Sequence, residues 1–139
     1  MNYRLSCAAD RTVNKCGFTL ECCGKEVYSE LFKCISDNLK ECILETIYRG
    51  IRVSRGYVSP DDIIRIEIQN NQICEWLSGY KEYKGYTDYI NKIFEVLESM
   101  DCRYTFVYVK KPYAKLYIAS HDLSKVNVSS VADIMKDFN

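Results

Sequence analysis

The most constraining stretch of this chain is Ile63-Ile64-Arg65-Ile66-Glu67-Ile68, four isoleucines in six residues. β-Branched side chains crowd a helix and fit a pleated sheet, so the run predicts a strand. Near-continuous isoleucines suit a central strand covered on both faces. What precedes it fixes the kind of sheet. Leu39, Ile43 and Ile47 recur every four residues, with Cys42 and Ile51 on the same stripe, which predicts an amphipathic helix. Asp37 or Asn38 caps its start, Gly50 lies near its end, and Gly56 and Pro60 punctuate the loop that follows. Earlier still, Tyr3–Ala9, Gly17–Glu21 and Lys25–Ser29 read as strands. A polar turn, Arg11–Lys15, separates the first two. Cys22-Cys23-Gly24 turns between the second and third, with Gly24 where positive φ is needed.

After the isoleucine run, Asn70 or Asn71 caps a short helix that buries Ile73, Trp76 and Leu77. A loop, Gly79–Gly85, is rich in Tyr and Lys. A longer helix from Thr87 to Met100 carries Ile90, Ile93, Phe94, Leu97 and Met100 on one face. Tyr104–Val109 is a further strand, stopped by Lys110-Lys111-Pro112. Helical spacing marks the remainder, Ala114–Asn139, with Ser129 or Ser130 capping a last short helix. The order β-β-β-α-β-α-α-β-α predicts an α/β fold: one mixed sheet of three antiparallel strands followed by strands added through crossovers, flanked by helices. With 139 residues and no linker, repeat or low-complexity segment, a single domain over 1–139 is expected.

Charge narrows the partners. Nineteen basic residues balance nineteen acidic ones, so bulk attraction to phosphate is excluded and any contact with nucleic acid must be local. Two segments offer such a patch. Tyr80, Tyr83 and Tyr86 interleave with Lys81 and Lys84, and Tyr108, Tyr113 and Tyr117 interleave with Lys110, Lys111 and Lys115. Aromatics among cations stack bases and touch phosphates, and the same composition suits a protein-binding surface.

Eight cysteines would make a disulfide framework only in an oxidising compartment. Met1–Asp10 carries no apolar run of signal-peptide length, and no stretch of the chain is apolar over a membrane-spanning length. The expectation is a cytoplasmic protein, off the membrane, with reduced and mostly buried thiols. Cys16, Cys22 and Cys23 invite a zinc site, but their spacing matches no zinc motif. Cys34, Cys42, Cys74 and Cys102 fall at apolar positions and read as core, so no metal is assigned to the cysteines. Phosphate-binding, dinucleotide-binding, serine-nucleophile and EF-hand motifs are absent.

The order of elements and four local strings resemble the ribonuclease H-like fold. Ser6-Cys7-Ala8-Ala9-Asp10 followed by Cys16-Gly17-Phe18-Thr19-Leu20 is similar to the family's first strand, which ends in an Asp-Gly-Ser-like motif before a Gly-aromatic pair. Asn38-Leu39-Lys40-Glu41 resembles the start of its first helix and puts Glu41 at the catalytic glutamate. Ile66–Leu77 resembles its Thr-Asp-Ser segment, with Gln69 where the Asp should be. Ser120-His121-Asp122-Leu123-Ser124 is similar to its Ala-Asp-x-Leu-Ala string, with His121 on the acid position and Asp122 one residue beyond.

The resemblance implies a five-stranded mixed sheet. In active members it also implies two divalent ions held between carboxylates, positioning a water and stabilising the attacking and leaving oxygens. Mg²⁺ requires hard oxygen ligands, which Cys7, Gln69 and His121 do not supply. The resemblance therefore implies a degenerate site, without cofactor, on a domain that binds an RNA–DNA hybrid, another nucleic acid or a protein. A small slip in the alignment yields an alternative, an active Mg²⁺- or Mn²⁺-dependent nuclease using Asp10, Glu41, Glu67 and Asp122. A third expectation is a small viral or mobile-element interaction or inhibitor domain. Two of these acids also have an ordinary structural role open to them. Glu41 completes a capping box with Asn38, and Glu67 is a buried acid paired with Arg65 or another base. His121 serves as a hydrogen-bonded structural residue.

Overall fold

A computed structural model describes residues 1–83 and 85–123. Five strands and four helices follow the expected order: β1 Asn2–Asp10, β2 Lys15–Cys22, β3 Lys25–Lys33, α1 Leu39–Ser54, β4 Ile63–Ile68, α2 Asn71–Leu77, α3 Thr87–Met100, β5 Arg103–Tyr108 and α4 Tyr113–Ser120. The strands form one sheet in the order β3-β2-β1-β4-β5. β1–β2 and β2–β3 pair antiparallel, while β1–β4 and β4–β5 pair parallel. The first strand made is thus the middle strand of the sheet.

Period-2 alternation along β1 divides two cores. Leu5, Cys7 and Ala9 enter the main core with Phe18, Leu20, Ile43, Leu44, Ile47 and Ile51. Ala8 points the other way, into a small cluster with Leu31, Ala114 and Ile118 under α4. That second contact depends on Gly17: a Cβ there would lie 2.6 Å from Ile118 Cγ2 and 3.0 Å from the Glu30 carbonyl oxygen. The β2–β3 turn places Gly24 at φ +85°, where a glycine is at ease. Of the alternative caps, Asn38 and Asn70 supply the side chains: their oxygens accept from Glu41 N at 3.2 Å and Ile73 N at 2.9 Å.

The structure corrects several details. β4 is central, but only Ile64, Ile66 and Ile68 lie in the apolar core, and on the other face Arg65 is exposed and pairs with Glu67 at 3.1 Å. β3 extends from the expected Ser29 to Lys33. Its inward positions are Tyr28, Glu30 and Phe32, paired across to Leu20, Phe18 and Cys16, and the carboxylate in that series hides the alternation. Cys34 and Cys102 are half-buried rather than core. The predicted Ser129- or Ser130-capped helix lies outside the described residues. Among the described residues no helix is long and apolar enough to cross a membrane.

Candidate functional site

β3, β1, β4 and β5 all run in one direction, so their carboxyl ends share one rim of the sheet. α1, α2 and α4 each begin just after one of those ends. Tyr86, which precedes α3, joins them by accepting a hydrogen bond on its hydroxyl from Asn38 Nδ2 at 2.8 Å. Open α/β sheets bind ligands outside the carboxyl ends of their strands, and helix amino-termini favour anions. This rim is the candidate site.

At its centre, Gln69 extends the β1–β4 ladder beyond its last pair, Cys7 and Ile68. Its Oε1 accepts from Ala9 N at 2.7 Å and its Nε2 donates to the Ala9 carbonyl at 3.0 Å. A primary amide has the donor and acceptor of a peptide unit, so Gln69 serves as one more rung of backbone pairing. A carboxylate could accept from Ala9 N but could not donate to its carbonyl. Cys7 is fully buried among apolar side chains, and burial pushes its thiol well up, with nearby Glu67 adding to the effect. Such a thiol is inert.

The four acids are dispersed. Asp10 Oδ1 accepts from Thr12 N at 2.9 Å and Thr12 Oγ1 at 2.6 Å, closing the β1–β2 turn. The Thr12 hydroxyl bond, ahead of the Thr12 backbone bond and Lys115, holds its carboxyl below the ordinary range. Glu41 sits in the first turn of α1 and lines a depression of about 390 Å³ with Gly85, Tyr86, Thr87, Asp88 and Tyr89. Glu67 lies beside Ser6 on the opposite sheet face, with Arg65 Nε donating to it. Asp122 follows α4, whose end is tied to β2 by Lys15 Nζ donating to the carbonyls of His121 at 2.7 Å and Ile118 at 3.3 Å. Among the described residues these carboxylates form no three-ligand cluster. His121 places Nδ1 2.9 Å from the Tyr117 carbonyl and its ring 4.5 Å from the Tyr117 ring, ending α4.

The two Tyr/Lys segments differ. In the first, Lys81 is paired with Glu75 at 3.0 Å, Tyr83 packs half-buried on the main core, and Lys84 lies outside the described residues. Tyr86 stacks on Trp76 at 5.7 Å, with Lys40 over the same indole at 5.5 Å. Much of that aromatic content is therefore structural. In the second, Lys110, Lys111 and Tyr113 are exposed at the rim, next to exposed Lys115 and Leu116. Ala114 N donates to Ser6 Oγ at 2.9 Å, which fixes the start of α4 against β1.

Two features of this rim escaped sequence reasoning. Arg11 and Lys40 both stand on it; Arg11 pairs with Asp37 at 2.7 Å, and the register that brings them there is tertiary. The other is a cluster of Cys16, Cys34 and Cys42, whose sulfurs lie within 4.8 Å of one another. No spacing signal marks it, because Cys16 belongs with cysteines far along the chain rather than with Cys22 and Cys23.

No protein-family model matches the chain, and no curated sequence matches it. Solved structures do. The chain is similar to an RNase H1, LC11, in complex with an RNA/DNA hybrid: TM-score 0.61, 14% identity, covering 82% of this chain and 86% of that one. It is similar to RNase H1 from the archaeon Halobacterium salinarum, with TM-score 0.62, 13% identity and coverage of 81% and 86%. The N-terminal RNase H domain of a Mycobacterium tuberculosis protein matches with TM-score 0.61 and 7% identity, covering 78% of this chain and 87% of that one. The fold is ribonuclease H-like.

Proposed function

We propose that this domain binds nucleic acid along the carboxyl-end rim of its sheet and does not hydrolyse it. The observation that carries the proposal is Gln69, whose amide is spent on both polar groups of Ala9 at the position where the fold family's resemblance calls for an acid. Two-metal hydrolysis requires several carboxylates converging on one point. Here Asp10 closes a turn, Glu67 pairs with Arg65 on one sheet face, and Glu41 stands on α1 beyond the other. Binding needs less. Exposed Lys110 and Lys111 meet phosphates, Tyr113 offers a stacking face, and the starts of α1 and α4 add favourable dipoles. Lys81 is a secondary contact, exchanging Glu75 for phosphate. That an RNase H1 of the same fold holds an RNA/DNA hybrid supports the hybrid as first probe.

The test is anisotropy of a labelled RNA–DNA hybrid across a salt series, with a parallel incubation in Mg²⁺ or Mn²⁺. The expected result is an intact hybrid and affinity that falls with salt. Replacing Lys110 and Lys111 by alanine should flatten the log–log slope by about 2. Cleavage abolished by Glu41→Gln would overturn the non-hydrolytic reading. Salt-independent binding would overturn the nucleic-acid reading and favour a protein partner seated on exposed Tyr113 and Leu116.

A further inference from the structure

The thiol cluster is independent of that reading. Cys16 stands at the start of β2, Cys34 follows β3, and Cys42 lies in the first turn of α1. All three are free thiols, two of them buried and Cys34 half-buried. Their sulfurs lie within 4.8 Å of one another, with Cys16 and Cys34 at 3.6 Å. A metal–sulfur bond of about 2.3 Å requires sulfurs about 3.8 Å apart in tetrahedral geometry and about 4.0 Å apart in a trigonal plane. Cys16 and Cys34 are already near that spacing and the Cys42 sulfur lies within 4.8 Å of both, brought there by β2–β3 pairing and the packing of α1.

Its surroundings suit an anionic metal–thiolate group. The Arg11 guanidinium, held by Asp37 at 2.7 Å, lies near Cys34. The positive end of the α1 dipole lies at Cys42. Without metal, the thiols have local acceptors: Cys42 Sγ is 3.4 Å from the Ser36 carbonyl, and Cys34 Sγ is 3.9 Å from that of Asp10. Among the described residues no fourth Cys, His or carboxylate joins it.

We propose that Cys16, Cys34 and Cys42 form a three-thiolate site for one thiophilic metal ion, clamping α1 to the β2–β3 hairpin. Soft thiolates select Zn²⁺ and Cu⁺. Zn²⁺ takes solvent as a fourth ligand on the open Cys34 side, whereas Cu⁺ is satisfied by three sulfurs. Loading is an acid–base exchange without redox change: each thiol releases its proton to solvent as its sulfur bonds the ion, so affinity rises steeply with pH.

The full chain, reduced and metal-free, is titrated with Zn²⁺ or Co²⁺, and separately with Cu⁺, each against a chromophoric chelator, with native mass spectrometry for stoichiometry. One ion per chain is expected, with sulfur-to-cobalt charge-transfer bands in the Co²⁺ form. Loss of a supporting residue weakens metal sites about 10–100-fold; Cys34→Ala removes a ligand and should weaken binding beyond roughly 100-fold. Its metal-free melting temperature should stay near that of the parent, and Zn²⁺ should raise the melting temperature of the parent alone. A C22S/C23S double variant should bind as the parent does. In the parent itself, bound metal should slow alkylation of Cys34, a readout that needs no variant to fold. No uptake of either ion, undiminished binding by Cys34→Ala, loss of binding in the double variant, or unprotected alkylation would each overturn the proposal.

Discussion

Replacing Gln69 tests whether its amide is a structural rung. Gln69→Met keeps the volume and removes both bonds to Ala9. Each hydrogen bond contributes about 1 kcal/mol net, and leaving the buried Ala9 N–H and C=O unpaired adds to the loss, so about 2–3 kcal/mol is expected. At roughly 2.1 cal/mol/K per residue, 139 residues give an unfolding entropy of about 0.29 kcal/mol/K. The melting midpoint should therefore fall by about 7–10 °C. Gln69→Glu separates hydrogen bonding from packing. Its ionised carboxylate keeps the bond from Ala9 N but faces the Ala9 carbonyl with no proton to give, which raises its folded pKa above the ordinary value of about 4.3. Below that value the variant is protonated in both states and keeps its stability; as pH rises through the folded value, stability is lost. Thermal unfolding of both variants across pH 3.5–8 is the assay. If both melt within about 1 °C of the parent at pH 7, far inside the loss worked above, the rung is illusory and the non-hydrolytic proposal loses the observation that carries it.

Three further outcomes are expected. Glu30 is fully buried, with no hydrogen bond to Oε2 and only a long ion pair to Arg49 Nη1 at 4.0 Å, and burial outweighs Arg49 and Tyr28 in raising its pKa. Its folded state is favoured below the unfolded value of about 4.3 and loses stability as pH rises through the raised value; Glu30→Gln should raise the urea midpoint at pH 7 and not at pH 4, and equal shifts at both would refute this. Gly17→Ala drives a methyl to 2.6 Å from Ile118 Cγ2. It should cost about 1–3 kcal/mol in a thermal melt, partly recovered by Ile118→Leu, which keeps the volume and lacks the Cγ2 branch. Asp10, held low by Thr12, contributes stability above the unfolded value of about 3.9 that is lost as pH falls through its folded value. An NMR titration placing the Asp10 carboxyl at or above that value would contradict the turn geometry.

Local chemistry made most of the fold legible. The four-residue stripe Leu39-Ile43-Ile47 needs no tertiary knowledge, nor do asparagines that cap helices or a Gly that turns a hairpin. Errors occur where a residue type contradicts its place. Glu30 faces inward, so the hydrophobic alternation of β3 breaks off after Ser29 in the sequence. Arg65 and Glu67 neutralise each other on one face of β4, so an isoleucine run that suggested two-sided cover has one. The rim was only partly legible. The motif strings located Cys7, Gln69 and Glu41, but parity alone did not tell that Glu41 and Glu67 stand on opposite sides of the sheet. The cysteines misled most. Neighbours in sequence, Cys16 and Cys22 occupy opposite ends of β2, about 20 Å apart at strand rise, while Cys16 and Cys34 meet because a hairpin folds one onto the other.

The central place of β1 also sets a timetable. It precedes β2 and β3 along the chain and gains them through short connections, so the β1–β2–β3 half-sheet assembles from local contacts. The other edge of β1 then waits, with its backbone groups unpaired, until α1 has been made and Ile63–Ile68 slides in alongside. A chain stalled or cleaved between Ser54 and Ile63 presents an open strand and half of an apolar face, the state in which sheets recruit one another. β5 pairs only with β4, so the isoleucine strand is the joint through which the elements that follow it are fastened to the half-sheet made before it.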